Sequence, residues 1–329
     1  MLYAEAEREP CVRCLQVEDR AYILGRVAQL PRGLGTVNAE VSKALRAWFI
    51  KTGFRELNRM PKAKRGTSEL LQGMAELLCL QEQHVEALAL AREALEACRE
   101  MKGGEHSDTI DAMVTVSDRL GKMGLFGEKL PMDRETVRLS TKKRGRKHEC
   151  TMASMSELAD SMMECGEREQ AIEMHRELVA LSVKARGRKH ANSVASLIGL
   201  ADALAIGRQS SEMQDLAESV PIYRECLDTL RAKQAAQEKK PAVSLAIEFA
   251  KATVGRNVDF DVTEEDVCGM MSSLGAALTE LGDEGGVTEG VTLLSEAYST
   301  LLKLKGARHP ATSDALCDYA FWCAEVRLR

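Results

Sequence analysis

Aromatic side chains are scarce in this chain, only 4% of its residues, while Ala, Leu, Glu, Met and Arg are plentiful. A core of that composition comes from helices drawn together through small residues. An excess of positive charge is also missing. The 329 residues carry 45 Lys and Arg against 50 Asp and Glu, a net charge of −5. General nucleic-acid binders carry the opposite, a strongly basic footprint, so no nucleic-acid partner is expected. No run of about 18 apolar residues is present, which argues against a transmembrane helix and membrane insertion. The start, Met1 to Glu9, is too acidic and polar for a secretory signal.

Catalytic and metal-binding signatures are missing as well. The ten cysteines are scattered, mostly within helical patterns. Such usage suits a reducing compartment, the cytoplasm or an organelle reached after loss of a transit peptide. Cys11 and Cys14 form a single CxxC, and the nearest histidine is His84. A structural zinc site needs four ligands, and a redox CxxC needs a strand–helix context that the pattern lacks. Neither HExxH nor a Gly-x-x-x-x-Gly-Lys loop occurs, nor a Ser/His/Asp constellation. We expect no enzyme activity, no cofactor and no metal.

What the chain does have is a repeating corner. Gly103-Gly-Glu-His106-Ser-Asp-Thr109 returns as Gly145-Arg-Lys-His148-Glu-Cys-Thr151 and Gly187-Arg-Lys-His190-Ala-Asn-Ser193, with the histidines 42 residues apart. A weaker copy precedes them at Thr67, and Gly306-Ala-Arg-His309-Pro-Ala-Thr312 closes the series. Self-similarity at a fixed period marks a solenoid of small units that bury their apolar faces on one another. The corner histidines read as helix starts, since Pro310 suits a first helical position.

Each unit, counted from its Thr or Ser as position zero, carries one apolar stripe. Position 4 is Leu71, Met113, Met155, Leu197 and Leu316; position 7 is Met74, Val116, Leu158, Leu200 and Tyr319; position 11 is Leu78, Leu120, Met162, Leu204 and Cys323. These share one helical face. Position 8 is always small (Ala75, Ser117, Ala159, Ala201, Ala320), as close contact with a second helix requires. Gly124 and Gly166 mark the turn at position 15. A second helix follows, carrying an Arg-Glu pair at 92–93, 134–135, 176–177 and 224–225. Adjacent residues do not face each other on a helix, so these pairs are expected to reach neighbouring helices. Pro131 and Pro221 are expected in this helix's first turn, where a missing N–H is harmless.

Small residues at position 8, large apolars at 4, 7 and 11 and glycine at 15 resemble the tetratricopeptide repeat. The 42-residue stride, the His corner and the second helix are similar to the kinesin-light-chain variety. The middle unit departs from the pattern, with Lys129 at position 20 where Ala87 and Ala171 are small. The resemblance implies an all-α, right-handed superhelical solenoid of antiparallel helix hairpins. Residues 1–66 are expected to form capping helices (Val17–Gln29 and Val37–Arg59), with Leu45, Trp48, Phe49, Phe54 and Leu57 covering the first repeat. Residues 67–238 hold four repeats, 239–266 an irregular insert of one lone helix and an acidic loop, and 267–329 a degenerate final repeat with a sealing helix.

The resemblance also implies a concave groove lined by positions 2, 5, 9 and 12. Position 9 is acidic throughout: Glu76, Asp118, Asp160 and Asp202. Glu69 and Asp111 add carboxylates at position 2, and Gln72 and Ser156 lie at position 5. Family arrays grip an extended peptide with asparagines at positions 5 and 6. This chain has none there, and position 6 is Gly73, Thr115, Glu157 and Gly199. An acidic groove concentrates a cationic protein segment, unless position 9 is only a solvated polar column. A basic edge is expected from Lys142, Lys143, Arg144, Arg146 and Lys147 in one loop and Lys184, Arg186, Arg188 and Lys189 in the next. Helix C-terminal dipoles would favour the same charges without any ligand. The leading expectation is a protein-binding adaptor, and the alternative is a structural subunit of a large assembly held by broad faces and the insert.

Overall fold

The computed structural model describes residues 34–61, 65, 69–206, 212–238 and 262–328. The expected helix Val17–Gln29, Cys11, Cys14 and the expected lone helix of the insert lie outside them. The described residues contain twelve helices and no strand. They fall into two compact units, residues 1–123 and 124–329.

The first unit contains α1 (Leu34–Arg59), α2 (Glu69–Leu80), α3 (His84–Lys102) and α4 (Ser107–Lys122). Successive helices pack on one another. Leu57, Leu71, Met74, Ala75, Leu78, Ala87 and Leu90 form its core, with Ile50 and Phe54 of α1 against it. The expected cap is only half right. Phe54 and Leu57 pack, whereas Leu45, Trp48 and Phe49 are 50%, 57% and 52% exposed on another face of the same helix. The helix also begins at Leu34, three residues before the expected start.

The second unit runs α5 (Phe126–Arg144), α6 (Glu149–Glu164), α7 (Arg168–Arg186), α8 (Ala191–Ala205), α9 (Glu212–Glu238), α10 (Glu264–Leu281), α11 (Glu284–Lys305) and α12 (Pro310–Leu328). Helices adjacent in that order pack as antiparallel hairpins, and α9 packs on α10 despite the interruption between them. Met155 and Leu158 meet Val137 and Leu178, while Met271, Leu274 and Leu278 join Leu227, Leu230 and Leu301. Position 8 behaves as its small residues require. Ala159 and Ala201 are fully buried, and a Cβ on Gly275 would stand 2.9 Å from the Gly290 carbonyl oxygen of α11. The final described helix, α12, is less covered. There Leu316 is 43% and Phe321 50% exposed, so this helix does not seal its own apolar face.

Two proline expectations need correction. Pro131 and Pro221 lie beyond the first turn, because α5 already begins at Phe126 and α9 at Glu212. The end of the acidic segment is helical too. Thr263 caps α10 by accepting from the Asp266 amide, and Asp266 returns a bond to the Thr263 amide. Glu264, Glu265 and Asp266 thus form the first turn, where the helix dipole favours carboxylates.

The recurring corner repeats its glycine backbone four times and its histidine side-chain cap three times; His309 Nδ1 makes no such bond. Gly103, Gly145, Gly187 and Gly306 sit at φ of 87°, 84°, 85° and 81° with ψ near 160°, a region essentially reserved for glycine. Nδ1 of His106, His148 and His190 then accepts from the amide two residues on, at 3.2 Å in each case. Thr109, fully buried, donates back to the Gly103 carbonyl at 2.8 Å. The histidines are N-caps, as expected.

Position 15 offers a test. Gly124, Gly166 and Gly282 have φ of 70°, 82° and 78°, and Glu82 stands at the same place with φ 60°. A side chain there costs about 1–2 kcal/mol, part of which glycine returns through unfolded-state freedom. Glu82→Gly is therefore expected to raise stability by about 0.5–1 kcal/mol. An unchanged or lower urea midpoint would show that this turn is unstrained.

Candidate functional site

All four position-9 carboxylates are exposed, so the column faces solvent as its register requires. Within the first unit, Gln72, Glu76, Asp111 and Asp118 are exposed; Glu69 opens α2 and its side chain is not described. Asp118 is already engaged: its Oδ2 lies 2.6 Å from Arg119 Nη1 and 3.4 Å from Lys122 Nζ. Lys122 stands at i,i+4 from Asp118, a pairing the groove positions did not take into account.

The second unit brings Glu157, Asp160 and Asp202 into electrostatic contact. Asp160 and Asp202 occupy the same position of the consecutive first helices α6 and α8, each backed by a buried side chain of the following second helix. Tyr223 of α9, 2% exposed, donates its hydroxyl to Asp202 Oδ1 at 2.6 Å. His175 of α7 is equally buried, with Nε2 3.7 Å from Asp160 Oδ1. A Cβ on Gly199 would meet the His175 ring at 3.0 Å, so the missing side chain at position 6 is what admits the imidazole. Ser156 is half-buried beside this group.

These surroundings change how the acids titrate. Desolvation first, then the charge of Glu157, with Asp202 and Asp133 contributing less, pushes the Asp160 carboxyl up to about 6; Lys129 pulls the other way. The side chain still remains 62% exposed, so a ligand reaches it. Burial also raises Asp202, an effect opposed by the Tyr223 hydrogen bond. Burial lowers His175, which leaves the ring neutral at pH 7, and its contact with Asp160 is not an ion pair.

A feature the groove positions did not anticipate lies behind Glu157. Lys129 and Asp133, 4% and 3% exposed, pair at 2.8 Å inside the hairpin of α5 and α6. Lys129 Nζ also donates to Ser161 Oγ at 2.7 Å and to Glu157 Oε2 at 3.2 Å, and Ser161 donates to Asp133 at 2.6 Å. Burial alone would pull the Lys129 ammonium down, but Asp133 and Glu157 together hold it above the ordinary range. The available signal was its i,i+4 spacing from Asp133 at a position otherwise held by alanine.

The tetratricopeptide-repeat family model matches residues 151–192. That span runs from one position zero to the next and is one whole repeat. Among solved structures, BtubC (BKLC) from P. vanneervenii is similar to this chain with a TM-score of 0.55 at 14% identity, covering 81% of this chain and 92% of that one. A Podosopora anserina protein described as a kinesin light chain with nearly identical TPR-like repeats gives 0.52 at 18% identity, covering 71% and 94%. Residues 151–192 thus match a tetratricopeptide repeat, and the fold of the chain is similar to that of kinesin-light-chain-like repeat structures. No curated protein matches the chain.

The tetratricopeptide hairpins also account for the expected basic edge. Arg146 and Arg188 each make a two-pronged pair, with Glu177 and Glu225 of the Arg-Glu motifs, and Arg186 meets Glu149 at 2.9 Å. Lys142, Lys143, Lys147, Lys184 and Lys189 are exposed, with Arg144 half-buried among them. The edge is therefore partly neutralised from within. The Arg-Glu motifs behave as their geometry demands: Arg134 reaches Glu167, Arg176 reaches Glu218 and Arg224 reaches Glu289, always on the next second helix or its N-cap. Exposed pairs of this kind contribute little stability each. Among the described residues, no group of three or more His, Cys, Asp or Glu is placed to hold a metal, and no helix is long and apolar enough to cross a membrane.

Proposed function

We propose that this chain is a non-enzymatic protein-interaction scaffold whose second unit holds a cationic segment of a partner protein against Glu157, Asp160 and Asp202. The supporting observation is the crowding of Asp160. An exposed carboxylate whose proton is held up to about 6 by desolvation, and then by the neighbouring acid Glu157, gains from an arriving cation more than an isolated one does. Glu157 is partly neutralised by Lys129, which leaves Asp160 and Asp202 as the principal anchors. The family's asparagine grip on peptide backbone is absent, so recognition rests on side-chain charge.

The test is capture from native extract, read by mass spectrometry, comparing the wild-type chain with Asp160→Lys combined with Asp202→Asn. The asparagine keeps an acceptor for Tyr223 while removing the charge. Partner affinity should fall at least about tenfold while helical circular dichroism is unchanged. An identical, stoichiometric set on both chains would end the groove reading. It would instead favour a structural subunit of a larger assembly, a reading supported by the exposed Trp48 and Phe49 of α1 and Leu316 and Phe321 of α12.

The same anchors imply a pH dependence. A carboxyl held at about 6 is ionised above that pH and neutral below it. Affinity for the captured segment should therefore weaken between about pH 7 and pH 5.5, where an ordinary carboxylate stays charged. Flat binding across that range would remove Asp160 from the site.

A further inference from the structure

Cys79, at the end of α2, lies beside two cationic side chains and a histidine. Arg119 Nη1 of α4 lies 3.2 Å from its sulfur, Lys122 Nζ 3.7 Å and His84 Nδ1 of α3 3.8 Å. The Arg119 side chain is 8% exposed, its guanidinium points at the sulfur, and its Nε has no hydrogen-bond partner. Asp118 Oδ2 lies 2.6 Å from the same Arg119 Nη1 and 3.4 Å from Lys122 Nζ, and offsets one of their two charges. Cys79 as a residue is only half-buried. A partly exposed, electropositive setting of this kind is where reactive cysteines are found.

We propose that Cys79 is a modification site that reacts with small anionic disulfides, those carrying carboxylates, to form a mixed disulfide. The Cys79 thiolate, its proton given to water, attacks one sulfur of the reagent. The new sulfur–sulfur bond forms as the reagent's own breaks, and the second half leaves as a thiolate with the electron pair. Cys79 is oxidised and the departing thiol is the reduced product. In the transition state one negative charge spreads over three sulfurs, and Arg119 and Lys122 are already in place to stabilise it. The same cations attract the reagent's carboxylates. The adduct would add negative charge one turn from Glu76, on the exposed column of the first unit.

The experiment treats the reduced full-length chain with substoichiometric 5,5′-dithiobis(2-nitrobenzoate), a dianionic disulfide, and locates the adducts by peptide mapping. Cys150, Cys165 and Cys317 are more exposed than Cys79. If exposure governs reactivity, those three are labelled first, and that order overturns the proposal. The expected result is that Cys79 leads them and reacts about tenfold faster in the folded chain than in the urea-unfolded one. Lys122→Met, at an exposed position, should lower the Cys79 rate with this reagent several-fold and change its rate with neutral iodoacetamide much less. Equal losses with both reagents would also overturn it. Arg119→Met serves as a second variant where its fold is retained, with the larger loss expected.

Discussion

Asp133→Ala is expected to destabilise the fold by about 3–5 kcal/mol, the usual result of removing one partner from a buried ion pair. The substitution leaves the Lys129 ammonium inside the α5–α6 hairpin with Ser161 and the 58%-exposed Glu157 as its remaining contacts. Deleting both charges should be milder. In the first repeat the equivalent positions are Ala87 and Ala91, 0% and 3% exposed, and they pack without any polar group. Lys129→Ala together with Asp133→Ala recreates that arrangement, so the double variant should recover much of the loss. Urea unfolding followed by circular dichroism gives both values. A double variant no better than Asp133→Ala would mean that the pair fills space more than it balances charge.

Met155→Ala comes next, at roughly 2–5 kcal/mol, the cost of truncating a buried core side chain. Met155 is fully buried among Val137, Leu158 and Leu178. Leu316 holds the same position 4 in α12 but is 43% exposed. Leu316→Ala is therefore expected to cost less than about 1 kcal/mol. The contrast separates what the repeat pattern dictates from what place in the stack dictates. Equal losses at the two sites would show that a further surface covers α12 in solution.

The fold was legible because its signal is periodic. Positions 4, 7, 8 and 11 name the buried face directly, and the glycine and histidine of the corner follow from the backbone that the turn requires. The candidate site was less legible, for physical reasons. Periodicity tells which side of a helix is covered but not which side chain enters a gap. His175 fills the space that Gly199 vacates, yet the two are 24 residues apart and belong to different repeats. Lys129 and Asp133 look solvent-facing on grounds of polarity, and only their mutual neutralisation permits burial. Asp118 looks like its neighbours in the column until Arg119 and Lys122 occupy it. The ends differ for another reason: the same apolar stripe is core in the middle of a stack and surface at its last helix.

The arginine–glutamate links of the second unit bear on how such a chain lengthens. The second helices α5, α7 and α9 each present an arginine toward a glutamate at the next second helix or its N-cap, and Arg224 finds Glu289 on α11 across the break in period just as Arg134 finds Glu167. Each link thus takes one arginine and one glutamate from consecutive hairpins. A duplicated hairpin, or a divergent one such as α10–α11, can enter the series without redesign of the hairpins already there. Gene duplication then has a ready substrate, and the array can acquire new binding surface while its older hairpins keep theirs.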